Sequence, residues 1–278
     1  MKSNELVMNP KRSFSPRPTK TATNANNQKP LIIPIISYLR HRITTIIVRL
    51  LAVFTPYVES ELLGLPKIVK AGDVCIDVGA AAGLYTVELS RLVGSKGRVI
   101  SVEPLSIAHP KLSRLLGSRR QHNVAPRNIA LGAVSGKSIM SVPIGRYGPV
   151  TGRSFLASET STLGSNDEFR QHMNVKIKVD TIDKLCSKAN LTRLDFIKID
   201  IEGAELNALK GGRKYIERYK PAILVEIEAR HLKRFGYHAD DIIDWLSRFG
   251  YKMYTWQHGW RQTEKVTLDK RNYLFKAK

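Results

Sequence analysis

From Pro66 onward, short runs rich in Val, Ile and Phe alternate with stretches of helical spacing. That rhythm predicts a parallel sheet covered by helices. Strands are expected at 74–78, 98–103, 127–131, 196–200 and 222–228, and helices at 84–93, 106–116, 204–219 and 240–249. Two last runs, 251–256 and 272–276, have no helix between them and predict an antiparallel pair that closes the sheet edge. The expected fold class is therefore α/β, a doubly wound and mostly parallel seven-stranded sheet spanning about residues 66–278. Within it, residues 132–178 are rich in Gly, Ser and Thr and show no clear period, so they are read as a lid or substrate insertion.

Ahead of this domain the pattern changes twice. Residues 1–30 are polar and nearly free of large apolar side chains, so a disordered tail is expected there. Residues 31–65 are apolar but broken by Pro34, Arg40, His41, Arg42 and Arg49, which leaves no run near the ~20 apolar residues a bilayer span needs. A helix over 35–54 would be amphipathic. It either packs on the domain or lies as a basic helix on an anionic membrane.

The 45 Lys and Arg against 24 Asp and Glu give a net charge of +21, spread along the chain rather than gathered in one run. Such a surface attracts anions without naming one. With two cysteines, Cys75 and Cys186, each in an apolar segment, neither a disulfide framework nor a cysteine-rich zinc site can be built, and a cytoplasmic setting fits best. The histidines show no metal-ligand spacing, so no metal is expected.

Chemistry is concentrated in Val74-Cys75-Ile76-Asp77-Val78-Gly79-Ala80-Ala81-Ala82-Gly83-Leu84-Tyr85-Thr86. A buried strand runs into an acid, a small-residue turn and a helix. Small residues let a ligand lie against the backbone, and the helix start offers unpaired N–H groups. A dinucleotide would call for G-x-G-x-x-G; here three alanines separate Gly79 from Gly83, which disfavours a pyrophosphate. Glu103 ends the next strand, roughly 20 residues on, where a carboxylate can accept both hydroxyls of a ribose.

Asp77-x-Gly79-x-x-x-Gly83 followed by Glu103-Pro104 resembles the first two motifs of class I S-adenosyl-L-methionine-dependent methyltransferases, which have a Rossmann-like fold. Val179-Asp180-Thr181-Ile182-Asp183, then the run 195–205 with its Asp200-x-Glu202-Gly203-Ala204-Glu205 element, residues 221–226 and the closing Asn272-Tyr273-Leu274-Phe275 resemble the FkbM family in particular. The resemblance implies methyl transfer from S-adenosyl-L-methionine to a hydroxyl oxygen of a sugar, glycan or secondary metabolite. It implies cofactor contacts at Asp77, Gly79, Ala80, Gly83, Glu103 and Asp200. Ala81 departs from the pattern, standing where the family usually has Asn. If a left-handed backbone is required there, strain of roughly 1 kcal/mol follows.

Asp200 and Glu202 fall at the end of the fourth predicted parallel strand, where the crevice of such folds opens. They are the candidate catalytic residues, with Asp200 nearest the transferred methyl as cofactor contact or base. Glu205 reads better as a partner of the following helix start. Lys198 either pairs with Asp200 or reaches the surface, and Glu226 is a weaker candidate for orienting substrate. Asp240 and Asp241 begin a helix; Trp245 and Trp256 read as core. Two alternatives stay open. One is an RNA methyltransferase, favoured by the charge and disfavoured by the lack of an N-P-P-Y motif or RNA-binding module. The other is a catalytically degenerate, membrane-associated binding scaffold.

Overall fold

The computed structural model describes residues 59–105, 122–146, 148–157 and 171–277. The expected tail 1–30, the amphipathic helix 35–54 and the helix 106–116 lie outside the described residues. In chain order the strands are β1 (Val74–Val78), β2 (Arg98–Val102), β3 (Val124–Arg127), β4 (Ala130–Leu131), β5 (Gly136–Gly145), β6 (Gly148–Pro149), β7 (Phe155–Leu156), β8 (His172–Asp180), β9 (Phe196–Ile199), β10 (Ala222–Glu226), β11 (Tyr251–Trp256), β12 (Trp260–Gln262) and β13 (Asn272–Ala277). The α-helices are α1 (Leu84–Val93), α2 (Ile182–Lys188), α3 (Glu205–Gly211), α4 (Arg213–Tyr219), α5 (Ala229–Arg234) and α6 (Ala239–Ser247), and a 3₁₀ helix covers Ser60–Lys67.

The main sheet has the order β12-β11-β13-β10-β9-β1-β2-β3. Its strands from β3 to β10 in that order are parallel. β13 then inserts antiparallel between β10 and β11, which is the expected closing pair. The sheet is eight-stranded rather than seven-stranded, because Trp260–Gln262 folds back on β11. A three-residue strand is too short to leave a period in the sequence.

Successive side chains alternate between the faces. Ile76, Val78, Ile197, Ile199, Ile223 and Val225 join one core with Ile182, Leu206, Ile216 and Ile242 of the helices on that side. Cys75, Val99, Phe196, Leu224 and Leu274 join the other, against Leu62 and Leu65 of the 3₁₀ helix and Leu89 and Val93 of α1. Asp77 and Lys198 are in phase with Cys75 and Phe196. The pleat therefore points them toward α1.

Three expectations are corrected. The strand at 127–131 is two strands in two sheets: β3 stays beside β2 and β4 leaves to pair with β8. Asn128 anchors the bend, its Nδ2 donating to the carbonyls of Glu103 (3.2 Å) and Pro104 (2.8 Å). The described part of residues 132–178 is not irregular but holds β5, β6, β7 and most of β8; β5 and β8 pair antiparallel from Gly136↔Val179 to Pro143↔His172. The helix at 204–219 breaks into α3 and α4 at Gly212. There the chain must pass close to Gly132, and glycine is a poor helix former.

Met140, Val142, Leu156, Ile177 and Val179 of the small sheet pack with Leu105, Ala204 and Phe235. Those three follow the carboxyl ends of β2, β9 and β10, so the small sheet sits against the side where a crevice opens. No helix among the described residues is long and apolar enough to cross a membrane.

A Cβ on Gly211 would stand 2.1 Å from the carbonyl oxygen of Gly132, whereas one on Gly136 would meet nothing within 4 Å. Gly211→Ala is expected to destabilise the fold by about 2 kcal/mol or more, measured as a fall in the urea midpoint. Gly136→Ala should stay within about 0.5 kcal/mol of the parent.

Candidate active site

The parallel strands end in a cleft of ≈ 270 Å³ lined by Asp77, the turn 79–83, Glu103, Lys198, Asp200 and Glu202, with Met140, Thr151, Ser154 and Leu156 contributed by the small sheet and its turn. The residues singled out after β1, β2 and β9 thus meet in one place. Described residues of the 132–178 segment form one wall of it.

Asp77 is buried, and its Oδ2 accepts a hydrogen bond from the Thr86 hydroxyl at 2.5 Å, with Ser101 Oγ 2.9 Å beyond. Burial pushes its pKa up to about 6, opposed by the Thr86 hydrogen bond. The turn that follows holds Gly79, Ala81 and Gly83 at φ 82°, 43° and 90°. A Cβ on Gly79 would fall 1.9 Å from the Asp200 carbonyl oxygen, so only glycine fits where the ends of β1 and β9 touch. Ala81 does adopt the left-handed conformation, which costs an alanine about 1 kcal/mol. Its N–H donates to Glu103 Oε2 at 3.0 Å, and Leu105 N donates to Oε1 at 2.9 Å. Glu103 therefore ties the turn to the end of β2.

Lys198 does not reach the surface. It is 1% exposed, donates to Asn272 Oδ1 at 2.6 Å, stands 3.4 Å from Asp200 Oδ2 and lies 5.0 Å over the Tyr85 ring. Glu59 completes this shell, its Oε2 accepting from Tyr85 Oη and from Asn272 Nδ2 (3.0 Å). Burial opposes the Lys198 charge, but the carboxylates of Asp200, Glu59, Glu226 and Asp77 outweigh it and raise its pKa. Sequence reasoning missed Glu59 and Asn272. They lie 213 positions apart, and the closing Asn-Tyr-Leu-Phe motif was the one available signal.

Glu202 lines the cleft at φ 57°; burial, then the neighbouring Asp200 charge, lift its pKa to about 8. Glu205 faces away from the chemistry, its Oε1 accepting from the N–H groups of Ile201 (3.0 Å) and Gly203 (3.1 Å), so it braces the turn before α3. Glu226 is buried, and its pKa rises to about 10 through burial, the Asp200 charge and a hydrogen bond with Asp200. His231 stays neutral near pH 7, because burial lowers its pKa to about 4. Its Nε2 is 3.1 Å from Glu202 Oε2. Asp241 caps α6 by accepting from His238 N at 2.7 Å. Among the residues lining the cleft there is no tryptophan; Trp256 and Trp260 stack edge to face.

A family model described as the methyltransferase FkbM domain matches residues 77–253. Among solved structures, an FkbM methyltransferase from Methylobacillus flagellatus aligns with 73% of this chain at 19% identity and a TM-score of 0.45; the alignment spans 43% of that protein's length. Aeropyrum pernix fibrillarin, in complex with S-adenosyl-L-methionine, aligns over 76% of this chain and 68% of its own at 15% identity and TM-score 0.43. A putative Streptococcus mutans methyltransferase in complex with SAH covers 78% and 94% at 12% identity and TM-score 0.43. No curated protein matches the sequence. The family model spans well over half of the 278 residues and begins on Asp77, the first acid of the cleft: the chain belongs to the FkbM methyltransferase family.

Proposed function

We propose that this protein transfers a methyl group from S-adenosyl-L-methionine to a hydroxyl oxygen of a sugar, glycan or related secondary metabolite. The donor set fits that cofactor. Five carboxylates line the cleft (Glu59, Asp77, Glu103, Asp200 and Glu202), while the lining cation, Lys198, is already bound to Asn272 and Asp200. Such a lining disfavours a pyrophosphate and favours a ligand bearing positive charge. Asp77 and the turn 79–83 would hold the amino-acid portion, and Glu103 the ribose hydroxyls. When bound, the cofactor supplies an electrophilic methyl on a sulfonium.

The remaining work falls to the chain. Asp200 carries the reading: its carboxylate is partly open to the cleft, paired with the buried ammonium of Lys198 and next to Glu226. The ammonium of Lys198 stands 3.4 Å from Asp200 Oδ2, and Glu226 shares a hydrogen bond with the same carboxylate. Asp200 can therefore take the proton of an acceptor hydroxyl as its oxygen attacks. Glu202, with Thr151 and Ser154 from the turn between β6 and β7, bounds the acceptor side, and enclosure there excludes water and fixes orientation. A cytoplasmic location goes with this reading. A peripheral membrane role rests on the segment 31–65 alone.

A second reading is methylation of an RNA ribose hydroxyl, favoured by the convergence of Lys198, Asp200 and Glu226 on a chain of charge +21. It requires RNA affinity that falls steeply with salt and exceeds that of an unrelated basic protein; filter binding from 50 to 200 mM salt decides it. Equal binding by the control removes this reading.

Calorimetric titration with S-adenosyl-L-methionine is expected to show one site, weakened at least tenfold in the Asp77→Ala, Glu103→Ala double variant. No heat with the parent protein would overturn the assignment. The pH dependence of stability offers an independent check. Glu226 binds its proton more tightly folded (about 10) than at its ordinary value of 4.5, so its contribution is complete below pH 4.5 and declines as pH rises toward 10. Glu226→Gln, which mimics the neutral acid, should match the parent near pH 4 and exceed it in stability at pH 9, by urea denaturation in chelator-treated buffer.

A further inference from the structure

A second cluster lies where β10 gives way to α5. Glu226 ends the strand, Glu228 precedes the helix and His231 sits within it. One donor atom from each lies within 4.8 Å of the others. His231 Nδ1 stands 3.9 Å from Glu226 Oε2, and Nε2 stands 3.7 Å from Glu228 Oε2. The imidazole is 4% exposed, yet Nδ1 has no hydrogen-bond partner. A buried nitrogen in that state demands an explanation. At 3.9 Å the Nδ1–Glu226 gap is too wide for a hydrogen bond. It suits two ligands of one ion, which stand about 3–4 Å apart when each bond is about 2.0–2.2 Å.

We propose that Glu226, Glu228 and His231 bind a divalent ion of the zinc or manganese class. One imidazole nitrogen and two carboxylates suit such ions, whereas Mg²⁺ prefers an all-oxygen shell and keeps its waters. Arg230 (2.6 Å) and Arg271 (2.9 Å) hold Glu228 from outside and orient it as outer partners do for metal-bound carboxylates. The site adjoins the cleft through Glu202, which lines the cleft and reaches His231 Nε2 at 3.1 Å. This assignment does not depend on the methyl acceptor.

Mn²⁺ titrated into the full-length protein after chelator treatment, followed by electron paramagnetic resonance, is expected to show about one bound ion per chain. Zn²⁺ should displace it and Mg²⁺ in tenfold excess should not. His231→Asn and Glu226→Gln, each shown by circular dichroism to be folded, should weaken Mn²⁺ binding at least tenfold; Glu228→Gln substitutes for either one if it does not fold. Zn²⁺ should also raise the melting temperature of the parent protein. No bound Mn²⁺, equal binding by the variants, competition by Mg²⁺ equal to that by Zn²⁺, or no thermal shift with Zn²⁺ overturns the proposal.

Discussion

One buried ammonium organises this molecule. Lys198 stands in the middle of the main sheet, and an unpaired charge at such depth costs several kcal/mol. Its partners come from four separate places: Asp200 at the end of its own strand, Asn272 from β13, the Tyr85 ring from α1 and, through Asn272 and Tyr85, Glu59 ahead of the 3₁₀ helix. Satisfying that charge requires all four segments to be in position together. The same demand places the Asp200 carboxylate at the cleft.

The acids around Lys198 show a tension between burial and chemistry. Desolvation acts on Asp77, Glu202, Glu205 and Glu226 alike and raises all of their pKa values. What separates their roles is local bonding. Glu205 spends its oxygen on two backbone N–H groups and becomes a brace. Glu226, crowded by Asp200, is raised furthest of the four. Asp200 has the ammonium beside it and more solvent than the rest. Strain at Ala81 and Glu202, both at positive φ, falls within this same patch, as is common where sites impose conformations the chain would otherwise avoid.

Much of the cleft was legible in the sequence because its parts are local. Asp77 with its turn, Glu103 at a strand end and the Asp200–Glu205 element each lie within one strand-to-helix passage, where spacing and residue type carry the geometry. The parallel run of the main strands and the antiparallel closing pair followed from the alternation of strands and helices and from the helix-free final pair. What escaped was non-local or masked by composition. Glu59 and Asn272 meet across almost the whole chain. Val175, Ile177 and Val179, interleaved with Lys176 and Lys178, did carry a two-residue period, but the Gly- and Ser-rich surroundings hid it. Asn128 looked like a strand interior and is a corner. His231 was judged by its spacing to other histidines, whereas its neighbours in space are glutamates.

The contact between Gly79 and the carbonyl of Asp200 joins the two ends of the cleft backbone to backbone. With no side chain between them, β1 and β9 have no slack at that point, and the strand registers on either side are continuous. The floor of the cleft behaves as one rigid piece. Any widening that admits a bulky molecule must therefore be taken up by the small sheet, which rests on the floor through apolar contacts at Leu105, Ala204 and Phe235. The width of the cleft is accordingly a property of that hydrophobic seam, and can change there without breaking the contact between Gly79 and Asp200.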